Sequence, residues 1–394
     1  MRYAVWFFRL LFAAWMIPAG INHFLPIFPQ PMGSQPLSQE LIRALLDSHL
    51  FDLVKAVELV AGVGVLLGYY TPLMLVICLP VSFNVFYWDA PLEGWGSRAA
   101  LFGYATLFSN AVLCLAWHRS YRSMFVLRSE PARKQLALIG RLLFGGWMLL
   151  NGANYLLLSL WAMPAGSEPL AVQLMAALVN SRLLDVAMAM QLVFGALILA
   201  GIWVPAALCL LMPISTCALF WALLDQQAMT VLLALVAFGL NGLLMVAQLP
   251  YYRDILERHA LSAGETTAAG GSYDSLFVVT VGCTSRAAFV PALIVVVVAT
   301  AFFGYFVTGR TAHFCMLVLM YPTFVLLARR LRDMGRASWL LLPPLVLTLA
   351  AFATTLDYLS LGSVDSLLPW LALAATGGMA LWGCLPGKPT AMAS

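Results

Sequence analysis

Charge is what this sequence has least of. Asp, Glu, Lys and Arg together supply 10% of its 394 residues, where soluble domains carry about 25%, so most of its surface must face something other than water. The seven cysteines are scattered through apolar runs, none forms C-x-x-C, and none falls in a predicted outer loop. That excludes a disulfide framework and argues against thiol–disulfide chemistry by the chain itself; the cysteines read as small buried hydrophobes. There is no phosphate-cradling Gly loop, no dinucleotide-binding fingerprint and no Ser/His/Asp arrangement recoverable from spacing. A soluble-type catalytic site is therefore not expected, and the chain leans to no catalytic activity of its own.

What is abundant is apolar sequence, 62% of the chain. It falls into runs of about 20 residues, the length that crosses a hydrocarbon core as a helix. About twelve are legible, at 4–25, 50–67, 72–88, 99–117, 136–157, 183–200, 203–224, 229–249, 288–308, 312–328, 339–355 and 367–385. The expected class is an all-α integral membrane protein. With the N-terminus inside, sixteen of the 21 Lys and Arg residues gather on the inner side, Arg133, Lys134 and Lys388 among them. The outer side receives Arg43, Lys55, Arg98, Arg182 and Arg310. This bias predicts a multi-pass protein of the bacterial inner membrane with both termini cytoplasmic. Its net charge of +4 then reflects contact with anionic lipid, not nucleic-acid binding.

The chain also repeats itself. Arg9-Leu10-Leu11-Phe12-Ala13-Ala14-Trp15-Met16 returns as Arg141-Leu142-Leu143-Phe144-Gly145-Gly146-Trp147-Met148, 132 residues later, with Gly20 and Asn22 matching Gly152 and Asn154. From Pro36 the offset is 133: Ser48, Asp52, Gly62, Gly68, Pro72, Pro80 and Trp88 match Ser181, Asp185, Gly195, Gly201, Pro205, Pro213 and Trp221. Residues 1–118 and 136–249 thus read as two parallel copies of one four-helix unit. Each carries a short amphipathic segment in its first outer loop, suited to lie at the interface or lid the bundle, and Ser48 and Ser181 are expected to cap the helices that follow. Residues 250–275 contain the one low-complexity stretch, 264–271, and are expected to be a flexible cytoplasmic linker. Residues 276–394 complete a third four-helix unit.

Candidate site residues concentrate in the second run. Asp52, Lys55 and Glu58 recur at three-residue steps, one stripe of a helix, and ionisable groups at membrane depth face protein or water rather than lipid. Lys55 and Glu58 are expected either to bind a ligand or relay a proton, or to neutralise each other while holding Arg9 or Asn22 of the neighbouring helix. The second copy has Met188 and Gln191 at these places. Asp52 has the simpler role of complementing a helix dipole. His23 and His49, on consecutive helices at one depth, are weak metal candidates without a further ligand; no metal is expected. On the inner side, Arg286, Arg330, Arg332, Asp333, Arg336 and Trp339 form a candidate site for anionic lipid or a partner, against plain positive-inside anchoring.

R-L-L-F-x-x-W-M, then an acidic residue in the second helix and G-x-G-x-L-L-G-Y-Y-T-P, resemble the DoxX family, here present twice over about 4–249. Residues from about 275 are similar to the YhaH-like inner-membrane domain of unknown function, through Gly282-Cys283-Thr284-Ser285-Arg286 and the stretch from Arg329 to Trp339. Cys283 departs from that pattern, and so do Ala337-Ser338. The first resemblance implies a subunit or accessory of a membrane redox system, with a quinone as candidate cofactor and other membrane redox subunits as candidate partners beside the lipid bilayer. The alternatives are a small-molecule or lipid transporter and a non-catalytic scaffold.

Overall fold

The computed structural model describes residues 1–130, 134–268 and 270–386. Arg133, Ala269 and Lys388 lie outside the described residues, as does the side chain of Lys134. Among the described residues every regular element is helical. The first five long helices are α1 (Arg2–Phe24), α2 (Pro36–Asp47), α3 (Leu50–Leu67), α4 (Thr71–Tyr87) and α5 (Arg98–Ala116). The next five are α6 (Lys134–Ala153), α7 (Pro169–Asn180), α8 (Leu183–Ala200), α9 (Val204–Asp225) and α10 (Ala228–Ala247). The chain ends in α11 (Arg286–Phe306), α12 (Gly309–Asp333), α13 (Leu342–Thr355) and α14 (Leu368–Gly383).

Ten helices among the described residues are long and apolar enough, by length and composition, to cross a membrane. The chain is a multi-pass helical membrane protein, and its outward faces carry exposed Leu, Val and Phe where lipid would lie. Two of the twelve expected spans fall short on these terms, each for a visible reason. The α3 helix carries three charges in 18 residues, and α14 has 16 residues where a full crossing takes about 20.

Local sequence sets the helix ends. Proline opens α2, α4, α7 and α9 in their first turn, where its missing N–H would have no partner anyway. Gly68 and Gly201 close α3 and α8 at φ +74° and +75°, a left-handed cap that a side chain resists. Ser48 and Ser181 do not cap α3 and α8. They end α2 and α7, and His49 and Arg182 stand at the N-cap in left-handed backbone.

The same tertiary bonds occur at in-register positions of the two halves. Trp88 and Trp221 each donate an indole N–H across 2.9 Å, to the carbonyls of Ser38 and Ala171. Tyr121 and Tyr252, 131 residues apart, donate their hydroxyls to the carbonyls of the in-register Pro72 and Pro205, at 3.0 and 2.8 Å. Arg9 and Arg141 donate Nε to the carbonyls of Val65 and Ile198. The amphipathic helices α2 and α7 pack on each other between the halves, burying Leu41, Ala44, Leu174 and Ala177.

The helices α11 and α12 pack against α1 around Trp6, Leu10, Phe289, Phe303 and Leu326. Residues 250–275, expected to be a flexible tether, are held instead at several points. Glu265 accepts hydrogen bonds from Trp6 Nε1 at 2.8 Å and from the Tyr273 and Ser262 amides at 2.7 and 2.8 Å. Trp117 donates its indole N–H to the Ala260 carbonyl at 3.0 Å, and Tyr273, Leu276 and Phe277 are fully buried. The partners come from distant helices, so the Gly- and Ala-rich local composition does not announce them.

Candidate functional site

The α3 stripe separates into two parts. Lys55 Nζ bonds Glu58 Oε2 at 2.7 Å, one helical turn away, with both groups buried; the ammonium also lies 4.8 Å from the Phe51 ring centre. This is a self-neutralising pair, the arrangement under which two charges tolerate a low-dielectric interior. Asp52 turns toward the histidines instead: His23 Nε2 lies 2.6 Å and His49 Nδ1 3.1 Å from its two oxygens. Both rings thus meet one carboxylate, and no group of three metal-ligating side chains occurs among the described residues. In the second half Asp185 is held by other chemistry in the same geometry, by Tyr155 Oη at 2.7 Å and an Arg182 nitrogen at 3.3 Å. What persists between the halves is an acid tying the end of one helix to its neighbour.

Arg9 and Asn22 do not join the Lys55–Glu58 pair. Arg9 is 2% exposed and bonds the Val65 carbonyl at 2.7 Å and Asp274 at 3.0 Å, with the Tyr273 ring 3.7 Å away. Asn22 accepts from the amides of Ile27 and Phe28 at 3.0 and 2.7 Å, fastening the chain where it leaves α1.

The space suited to a ligand lies in the second half. A cavity of about 740 Å³ opens between α6, α8, α9 and α10, with Leu79, Pro80, Phe83 and Asn84 of α4 contributing one wall. Its lining is largely Trp, Met and Leu, including Trp147, Trp161, Trp221, Met148, Met175 and Met188. Such a volume falls within the roughly 300–1,000 Å³ of small-molecule sites, which are likewise apolar with a few placed polar groups. Here those groups are the amides of Asn84, Asn151 and Gln191 and the hydroxyls of Ser215 and Thr230. Asn151 Nδ2 donates to Gln191 Oε1 at 2.8 Å, and its sulfur neighbour is Met188 at 3.8 Å. Gln191 is 5% exposed, yet its NH2 group, like the Asn151 carbonyl, makes no hydrogen bond to any described residue. At Asn151 and Gln191 the cavity wall therefore presents a donor and an acceptor side by side. Gln191 is the in-register mate of Glu58 and Met188 that of Lys55, while Asn151 corresponds to Ala19.

The third candidate cluster is mostly committed within the fold. Arg330, 1% exposed, pairs with Asp333 and bonds the carbonyls of Gly383 and Leu385, each at 2.7 Å. Arg329 gathers the carbonyls of Val279, Val281 and Cys283 and the Thr284 hydroxyl, so it shapes the loop before α11. Arg332 donates to the Thr280 carbonyl, and Arg336 lies 5.6 Å from the Trp382 ring. Arg286 and Trp339 remain exposed. Two buried acids went unnoticed in the sequence: Asp225, 2% exposed, which accepts from the Ser167 amide and hydroxyl, and Asp89, 7% exposed in the wide turn Trp88–Leu92, whose carboxylate accepts no hydrogen bond from a described residue. The signal for Asp89 is an acid closing an apolar run before proline. Compared with family models, with curated proteins and with solved structures, the chain finds no match.

Proposed function

We propose that this chain is a binding subunit or accessory of a membrane redox system, holding a quinone or a like lipophilic molecule between its first two units. The observation that carries this is the cavity with the free Gln191 donor and Asn151 acceptor on a mostly apolar wall. A quinone head carbonyl suits the Gln191 N–H, and an isoprenoid tail suits the Trp-, Met- and Leu-rich lining, where methionine adapts to irregular shapes. When bound, the quinone would supply the redox chemistry; Gln191 and Asn151 orient its head, and the apolar wall keeps water from it. In this proposal electron transfer to or from the quinone belongs to a partner subunit.

The recurring bonds at in-register positions support a duplicated four-helix unit; we read that unit as DoxX-like, the third unit as YhaH-like, and α3 and α14 as the remaining two of twelve spans. The sixteen-to-five distribution of Lys and Arg supports a bacterial inner-membrane setting with both termini cytoplasmic. A transporter is the second reading, favoured by the cavity's place between the two repeated units and by Pro80 and Pro213, which line it from within α4 and α9. Each proline removes a helical hydrogen bond, and transporter sites are commonly built where helices are interrupted at a repeat interface.

Gentle extraction followed by native mass spectrometry tests the first reading. A quinone mass is expected on the wild-type chain and on Glu58→Gln, and it should be absent from Gln191→Leu and from Met188→Trp, which fills the cavity. A bound quinone that survives both cavity variants would place the site elsewhere. Wild-type protein without quinone but with substrate-dependent flux in vesicles would leave the transporter.

A further inference from the structure

The two units differ in what covers their first helices. Under α11, α12 and the turn at 273–277, Trp6, Leu10 and Leu11 of α1 are 1%, 0% and 6% exposed. Their in-register mates on α6, Leu138, Leu142 and Leu143, are 51%, 55% and 59% exposed. The cation at this end shows the same contrast. Arg9 and Arg141 are both anchored through Nε to a carbonyl at the end of the next helix, Val65 at 2.7 Å and Ile198 at 3.1 Å. The second guanidinium nitrogen of Arg9 then meets the Asp274 carboxylate at 3.0 Å, and the Tyr273 and Trp117 rings lie over its carbon at 3.7 and 5.7 Å. Arg141 has for that nitrogen a carbonyl of Leu199 at 3.4 Å. Neither a carboxylate nor a ring from the described residues reaches it. Gly201 leaves room for the guanidinium, since a Cβ there would lie 2.5 Å from it; a Cβ at Gly68 would strike the Asp274 carboxylate.

We infer that an anionic phospholipid occupies this face, its phosphate on Arg141 where Asp274 sits on Arg9, and its acyl chains along Leu138 and Leu142. The first unit shows which chemistry completes the site, an anion beneath an apolar cover. Among the described side chains of α6 Arg141 is the one charge, and a cation beside leucines matches a headgroup with its chains rather than a polar partner surface.

The test uses the full chain, purified in detergent, stripped of lipid, and titrated with phosphatidylglycerol, phosphatidylcholine or inorganic phosphate. Bound lipid is counted by native mass spectrometry and Tm is followed in parallel. Phosphatidylglycerol should be retained and should raise Tm, phosphatidylcholine should do neither, and Arg141→Gln should lower retention about fivefold, the effect of one cation near an anionic headgroup. Leu142→Glu, which spares Arg141 and places an acid on the acyl stripe, should lose the lipid as well. Equal retention by Arg141→Gln and Leu142→Glu overturns the assignment. So does equal protection by inorganic phosphate, which would make the ligand a free anion, or a stoichiometric protein covering this face in place of lipid.

Discussion

At the scale of single residues, the Lys55–Glu58 pair within α3 and the Asn151–Gln191 pair between α6 and α8 share the in-register position of Glu58 and Gln191 and do different things. The first is complete in itself: both charges are buried and bonded to each other at 2.7 Å. Removing one partner of a buried pair costs about 3–5 kcal/mol, because the other charge is left alone. Glu58→Gln should therefore lower stability by that order, and Lys55→Met with Glu58→Gln, which copies the second unit, should recover most of it. Thermal unfolding in one detergent checks both, and a double variant no more stable than Glu58→Gln would show that the pair is not self-contained. The polar stripe was legible because three charges in an apolar helix stand out. Asn151 was not, because searching the two copies for shared polar positions passes over a residue whose mate is Ala19. A second signal was present in the amide itself, an Asn one turn before Asn154 in a stretch, 142–153, with no other polar side chain.

At the scale of elements, the amphipathic helix α2 is fastened by an acid beyond the end of α4. Glu93 accepts from the Ser34 amide at 2.8 Å, the Ser34 hydroxyl at 2.6 Å, the Gln35 amide at 3.3 Å and the Ser38 hydroxyl. Partial burial works to raise this carboxyl, but the hydrogen bonds from the Ser34 and Ser38 hydroxyls and the two amides outweigh it and hold the acid below its ordinary value. A carboxylate lowered by folding adds stability above its unfolded value, about 4.3, and that contribution is lost as pH falls through the lower folded value. Amide exchange over residues 34–47 should consequently quicken as pH drops below about 4 beyond its intrinsic trend, and Glu93→Gln should produce the same loosening at neutral pH. Protection that stays constant in the variant would exclude Glu93 as the fastening. Most helix ends were readable from proline and glycine. The start of α3 was not: a serine before an apolar run suggests an N-cap, but the hydroxyl of Ser48 bonds back to Leu45 at 3.3 Å and the left-handed His49 takes the cap position. The pinned segment 250–275 was hidden for a related reason, since Glu265 meets Trp6 across 259 residues and nothing in the local composition carries that contact.

At the scale of the whole molecule, the two lid helices report how the halves are related. Gln173 Nε2 donates to Asp47 at 2.9 Å, and Asn180 Nδ2 donates to Glu40 at 2.7 Å. By the 133-residue offset, Gln173 is the mate of Glu40 and Asn180 the mate of Asp47. On the proposed duplication each position thus meets the mate of the other's, the pattern of a two-fold, self-complementary contact. The wall that α4 lends to the cavity lies on the same boundary, so the lids and the ligand space belong to one interface. Cysteine pairs at Asp47 with Gln173 and at Glu40 with Asn180 should therefore form disulfides with similar ease, since a two-fold axis makes the two crossings equivalent. One pair closing without the other would refute that symmetry. The same bridges separate the two functional readings. Alternating access requires one unit to rock against the other, so a bridged transporter should bind its substrate and stop moving it. A binding subunit asks only that the cavity stay formed, and its occupancy by quinone should be unchanged by the bridge, with reduction of the bridge by a thiol restoring flux in the first case and altering nothing in the second.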